Sequence, residues 1–128
     1  GKFGDADIVA VIEKIRSHDI SIGANYIFGL PDDTMESMNN TLDLAIYLNT
    51  EWANFYCAMA YPGSPLYDLA MEKKIPMPGD DEGPGWIGYS QHSYDSLPLA
   101  TEHLSAIEVL DFRDQAFMKY FNLSNLIT

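Results

Sequence analysis

A chain of 128 residues with 47% hydrophobic and 12% aromatic content is long enough to bury one core and too apolar to stay disordered. Its 7 Lys+Arg against 19 Asp+Glu give a net charge of −12, which repels phosphate backbones and anionic lipid headgroups and argues against nucleic acid as a partner. No apolar run approaches the roughly 20 residues of a bilayer crossing, the first residues lack a signal-peptide layout, and the lone Cys57 leaves no internal disulfide, so a cytoplasmic protein without a membrane span is expected.

In chain order, residues 6 to 18 place Ile8, Val11, Ile12 and Ile15 three and four apart, the stripe of an amphipathic helix. The short apolar run Ser21 to Phe28 follows and breaks at Gly29-Leu30-Pro31, which reads as a buried strand closed by a turn. Asp33 and Glu36 have capping-box spacing, and Met38, Leu42, Ala45 and Ile46 carry a second helix to about Leu48. A second buried strand is expected from Trp52 to Tyr61, closed by Pro62-Gly63. Ser64-Pro65 then has the form of an N-cap and first helical residue, with Leu66, Leu69 and Ala70 turned inward.

From Ile75 the stretch "IPMPGDDEGPGWIGYSQHSYDSLPLAT" mixes prolines and glycines with Trp, Tyr and His and shows no period, so an irregular segment is expected over residues 76–100. Thr101 or Ser105 opens a last helix, with Ser105 and Glu108 at capping-box spacing, whose inward positions are read as Ile107, Leu110, Phe117 and Phe121. Apolar strands alternating with helices predict an α/β fold with a parallel sheet covered on both faces, and ligands of such sheets sit beyond the carboxyl ends of the strands. Two parallel strands alone make too small a sheet for this many helices, so the chain reads as part of a larger domain. Its exposed strand edges predict self-association.

Two turns at fixed separation carry a family resemblance. "NYIFGLPDD" ends one strand and "AMAYPGSP" the next, and together they resemble the second half of the radical S-adenosylmethionine (radical SAM) core. The tail "GYSQHSYDSLPLATEHLSAIEVLDFRDQAFMKYF" is similar to the region after that core in members with an N-terminal cobalamin-binding domain, a subgroup that includes anaerobic magnesium-protoporphyrin monomethyl ester cyclases and Fe-S oxidoreductases. The resemblance implies a partial TIM-type barrel fragment: residues 1–75 as the second half of the barrel core, 76–100 as the irregular segment and 101–128 as a C-terminal helical extension. It also implies S-adenosylmethionine and a 4Fe-4S cluster as cofactors of the parent enzyme, with cobalamin in this subgroup, and a small-molecule substrate. The family's fifth-strand pattern G-x-I-x-G-x-x-E falls on Asn25, Ile27, Gly29 and Asp32. Ile27 would contact adenine, Gly29 would let the backbone approach the ligand, and Asn25 and Asp32 depart from the family's glycine and glutamate. Met59 and Ala60 would offer backbone groups to the adenine edge. Apart from the resemblance, the clustering of Tyr89, Gln91, His92 and Tyr94 in the irregular segment motivates a substrate-facing role there, and Tyr61, Tyr89 and His92 are read as substrate-facing.

The family's CxxxCxxC cluster motif does not occur in these residues, and Cys57 cannot replace three thiolates. The expectation is therefore a catalytically inactive piece of a radical SAM oxidoreductase, cyclase or methyltransferase. The alternative is a non-catalytic acidic α/β interaction module. On sequence physics alone, Gly29-Leu30-Pro31 is a strand-to-helix turn, Asp32 and Asp33 are helix-start acids, and Asn25 and Asn54 are polar groups in need of hydrogen-bonding partners.

Overall fold

The computed structural model describes residues 7–124. Over that span it is an α/β protein with one two-stranded parallel sheet and four α-helices, in the order α1 (Ile8–Arg16), β1 (Gly23–Phe28), α2 (Met35–Leu48), β2 (Trp52–Cys57), α3 (Pro65–Glu72) and α4 (Ala106–Ser124). A short 3-10 helix, Gly85–Tyr89, interrupts the otherwise irregular segment before α4. Gly23 pairs with Trp52 and Phe28 with Cys57, so the strands run in register from end to end. None of the described helices is long and apolar enough to cross a membrane.

The local signals explain most boundaries. Ser64 caps α3 by accepting from Tyr67 N, with Pro65 at the first helical position, where its missing N–H has no intrahelical partner to lose. Ser105 and Glu108 close a reciprocal box at the start of α4, each side chain accepting from the other's backbone N–H. The start of α2 differs from expectation. The box there is Thr34 with Ser37, not Asp33 with Glu36. Asp33 is held by the turn instead: its Oδ2 accepts from Gly29 N at 2.9 Å and Leu30 N at 3.0 Å, and its Oδ1 from the Ser37 hydroxyl. The second strand also ends earlier than the apolar run, at Cys57: Ala58 N makes the last bond to β1, at Phe28 O, and Met59 to Tyr61 turn across the strand end.

The core lies on one side of the sheet only. Phe28, Phe55 and Cys57 pack beneath α2 (Met38, Leu42, Ala45) and α4 (Val109, Phe112, Ala116, Tyr120), all of them buried. Phe28 stacks on Phe55 with ring centroids 5.6 Å apart and meets Phe112 edge-on at 4.9 Å, geometries that suit the aromatic quadrupole. The inward face of α4 therefore differs from the sequence reading: Ile107 is 69% exposed, while Leu110, Phe117 and Phe121 sit half-buried at the margin. The expectation of a sheet covered on both faces is corrected as well. Gly23, Asn25 and Ile27 of β1 and Trp52 of β2 are exposed on the second face, beside half-buried Asn54 and Tyr56. Helix α1 buries none of its residues, and Ile8 and Val11 of its apolar stripe are about half exposed.

Candidate functional site

The open sheet face leads, at the carboxyl ends of the strands, into a cavity of about 350 Å³. Ile27 and Leu30 form its β1 side, Tyr56 to Met59 its β2 side, and Tyr61, Leu66 and Gln91 its rim. Strand alternation explains why Ile27 reaches it: Tyr26 and Phe28 point under the helices, so Ile27 points to the open face. Beyond Cys57 the chain turns across the strand end, which brings Met59 and Tyr61 over the same space.

Polar groups around the cavity are few and placed. Ala58 N donates to Phe28 O at 2.7 Å, and Ala58 O accepts from Leu99 N at 3.0 Å. The next two residues, Met59 and Ala60, are 6% and 3% exposed, and neither backbone has a hydrogen-bond partner among the described residues. Buried backbone groups without partners are costly and mark a place for water or ligand. Gln91 anchors the other side. Its amide accepts from Cys57 N at 3.0 Å and donates to Cys57 O at 2.9 Å, as an adjoining strand would. The guanidinium of Arg113, 5% exposed, donates to Gln91 O and pairs through Nε with Asp114 Oδ1 at 2.7 Å. Gln91 enters the sequence reading only as a member of the cluster with Tyr89, His92 and Tyr94, and Arg113 does not enter it, although a lone Arg among the inward positions of α4 is a readable signal.

The predicted residues separate into three groups. Ile27, Met59 and Tyr61 come together at the cavity, and Ala60 follows directly behind Met59. Asn25 lies one strand-turn below, in a side-chain ladder in which Trp52 Nε1 donates to Asn54 Oδ1 and Asn54 Nδ2 donates to Asn25 Oδ1, each at 3.0 Å. Asp32 stays outside: it is exposed, and its charge acts on Lys73 of α3. Gly29 has φ +81°, the left-handed region, but its freedom serves packing. A Cβ there would come within 2.5 Å of Val109 Cγ1, and its N–H is already taken by Asp33. Tyr89 is buried behind Tyr61, ring centroids 5.8 Å apart, and its carbonyl accepts from the Tyr61 hydroxyl at 3.3 Å. His92 is exposed beside Tyr56, with ring centroids 6.4 Å apart.

Burial pushes the Cys57 thiol up to about 11, so it remains protonated at neutral pH, and its sulfur lies 4.0 Å from Val109 O. No group of three or more His, Cys, Asp or Glu side chains able to hold a metal occurs among the described residues. Among the described residues the one thiol, Cys57, is too few ligands for an iron-sulfur cluster. A second cavity, about 470 Å³, lies between α3 and residues 99–102. Its polar side chains already have partners, since Thr101 Oγ1 donates to Asp33 O and Lys73 Nζ pairs with Glu102 at 2.8 Å. Further cavities of about 430 and 760 Å³ lie along α4 and around residues 76–84, and the strand-end cavity is the one that gathers Ile27, Met59 and Tyr61.

No family model matches the chain, and no solved structure matches it. The chain is similar to an uncharacterized methyltransferase of Pyrococcus horikoshii, with 30% identity over 69 residues. Those residues make up 54% of this chain and 14% of that protein, so the likeness covers a small part of a much longer polypeptide.

Proposed function

We propose that this chain is one side of a radical SAM enzyme's cofactor site, where it holds the adenosyl part of S-adenosylmethionine against the ends of β1 and β2. The single observation that carries the reading is the convergence of Ile27 and Met59 on one strand-end cavity, with free backbone groups at Met59 and Ala60 beside it. An adenine ring needs this combination: apolar faces above and below, and backbone donors and acceptors along its edge. The likeness to a methyltransferase supports a SAM-dependent parent.

S-adenosylmethionine would supply the transferable group, and this chain's residues would bind and orient it. Ile27 packs against one face of adenine, Met59 and Ala60 read its edge, and Gln91, held by Arg113, fixes the β2 end so that this edge keeps its position. Tyr61, stacked on Tyr89, forms the wall toward substrate, with His92 farther out on the rim. In this reading Asn25 and Asp32 do not touch the cofactor. The cluster, and cobalamin where the parent carries it, would be held by parts of the polypeptide other than these residues, and the sheet would continue into a partial barrel.

The test is equilibrium binding of S-adenosylmethionine to the enzyme encoded by the complete reading frame. Ile27→Glu places a charge against adenine and is expected to weaken binding tenfold or more, a loss of about 1.4 kcal/mol or more. Asp32→Asn is expected to leave binding within about twofold. Equal losses from both substitutions would refute the assignment. A complete reading frame without a CxxxCxxC motif would refute the radical SAM reading itself and favour the acidic interaction module.

A further inference from the structure

The second cavity, about 470 Å³, has a floor of its own, apart from the aromatic core beneath the sheet. The end of α3 shapes it. Lys74 takes φ +53°, its N–H donates to Met71 O at 3.1 Å and Ile75 N to Ala70 O at 2.9 Å, the two bonds of a Schellman motif. That turn folds the chain back and sets Ile75 against the buried cluster of Ala70 and Leu99. The facing wall is pinned as well. Leu99 N donates to Ala58 O at 3.0 Å, Thr101 Oγ1 to Asp33 O at 3.0 Å and Glu102 N to Pro31 O at 3.1 Å. The space is therefore preformed, and Pro31, Leu69, Ala70, Ile75 and Leu99 make its lining apolar.

Charge is confined to one place on this lining. Lys73 Nζ and Glu102 Oε1 meet at 2.8 Å, with both side chains about half exposed. The pair keeps spare capacity: the ammonium has further N–H groups to give, and Glu102 Oε2 accepts from no protein group among the described residues. An exposed ion pair adds little to stability, so its members can change partners at small cost. Ala100 lines the same cavity, and neither its N–H nor its C=O has a partner among the described residues. The carboxylates of Asp32 and Glu72 also act on Lys73, so an anion with no positive charge of its own meets repulsion there.

We propose that this cavity binds a free α-amino acid with an apolar side chain. The side chain fills the space over Ala70 and Leu99, the ammonium meets Glu102, and the carboxylate meets Lys73 and the Ala100 N–H. A zwitterion serves both members of the ion pair at once. A simple amine would draw Glu102 from Lys73 and return nothing, and a simple carboxylate would leave Glu102 unpaired and face Asp32 and Glu72. The site does not rest on the cofactor reading. S-adenosylhomocysteine is also an amino acid, but its ribose hydroxyls would lie against the apolar lining without partners, so the two cavities take different ligands.

Isothermal titration of the protein encoded by the complete reading frame is expected to show saturable binding of L-leucine that S-adenosylhomocysteine does not displace. Glycine, 3-methylbutylamine and 4-methylpentanoate each lack one of the three recognised parts and should bind about tenfold more weakly or worse. Lys73→Met keeps the apolar stem without the charge, and Glu102→Gln keeps the shape; both side chains are half exposed, so an unchanged circular dichroism spectrum is expected. Lys73→Met should remove most of the advantage of L-leucine over 3-methylbutylamine, and Glu102→Gln most of its advantage over 4-methylpentanoate. No binding at millimolar L-leucine, an analogue that binds as tightly, variants that bind like the unaltered protein, or displacement by S-adenosylhomocysteine would each overturn the proposal.

Discussion

On one face of the sheet, Tyr26, Phe28, Ala53, Phe55 and Cys57 are packed beneath α2 and α4 in a continuous aromatic core; on the other, Asn25, Ile27, Asn54 and Tyr56 are exposed or half-buried, and Trp52 reaches only the end of α4, its ring centroid 5.2 Å from that of Phe121. The same two strands supply both sets, one residue apart. The covered face holds the fold together, because burial of its rings removes large apolar areas from water. The open face contributes little to that and leads into the cavity where the candidate site residues collect. In the proposed reading, stability and binding are thus divided between alternate residues of the same strands.

That division can be broken at several points, in decreasing order of expected effect. Phe55→Ala, at 0% exposure, should cost about 4 kcal/mol in urea unfolding, the usual scale for a buried aromatic. Gly29→Ala combines a left-handed φ with a clash on Val109 and should cost about 3 kcal/mol. Part of that loss should return in the Gly29→Ala/Val109→Ala pair, since the two sites share one contact. The Cys57 thiol gives a pH-dependent effect. The folded chain holds its proton up to about 11 against an ordinary value of 9.0, so its contribution is intact below pH 9 and is lost as pH rises toward 11. The difference is on the order of 2 to 3 kcal/mol. Unfolding midpoints of the unaltered chain should fall through that window more steeply than those of Cys57→Ala. On the open face, Asn54→Ala should cost only about 1 kcal/mol by the same urea assay, because its hydrogen bonds are to exposed partners. A loss as large as that of Phe55→Ala would mean that both faces stabilise the fold alike.

The legible parts of the fold were those written in adjacent residues. Ser64-Pro65 and the Ser105/Glu108 pair announce their helices because an N-cap uses groups three positions apart. At α2 two such boxes overlap, 33 with 36 and 34 with 37, and a tertiary demand decides between them: the N–H groups of Gly29 and Leu30 need Asp33. Along α4 two apolar stripes compete, one through Ile107 and one through Val109, and the second wins because Val109 fills the space left by Gly29. The open face was partly visible, since Asn25 and Asn54 break the apolar runs at alternate positions. Treating both strands as buried on two sides obscured it. At the site, the turn motifs pointed to Ile27 and Met59. The anchoring role of Gln91 stayed hidden because its pairing with Cys57 spans 34 residues and imitates a strand with a side chain.

The central claim, that the open face ends in a cavity shaped for an adenosyl group, is tested most directly by titrating the 128-residue chain with S-adenosylhomocysteine while recording amide and methyl NMR spectra. The account predicts saturable shifts, at millimolar ligand if necessary, at Ile27, Tyr56, Met59, Ala60 and Tyr61. Shifts centred instead on Leu69, Lys73 and Ala100 around the second cavity, or no shifts at millimolar ligand, would contradict it.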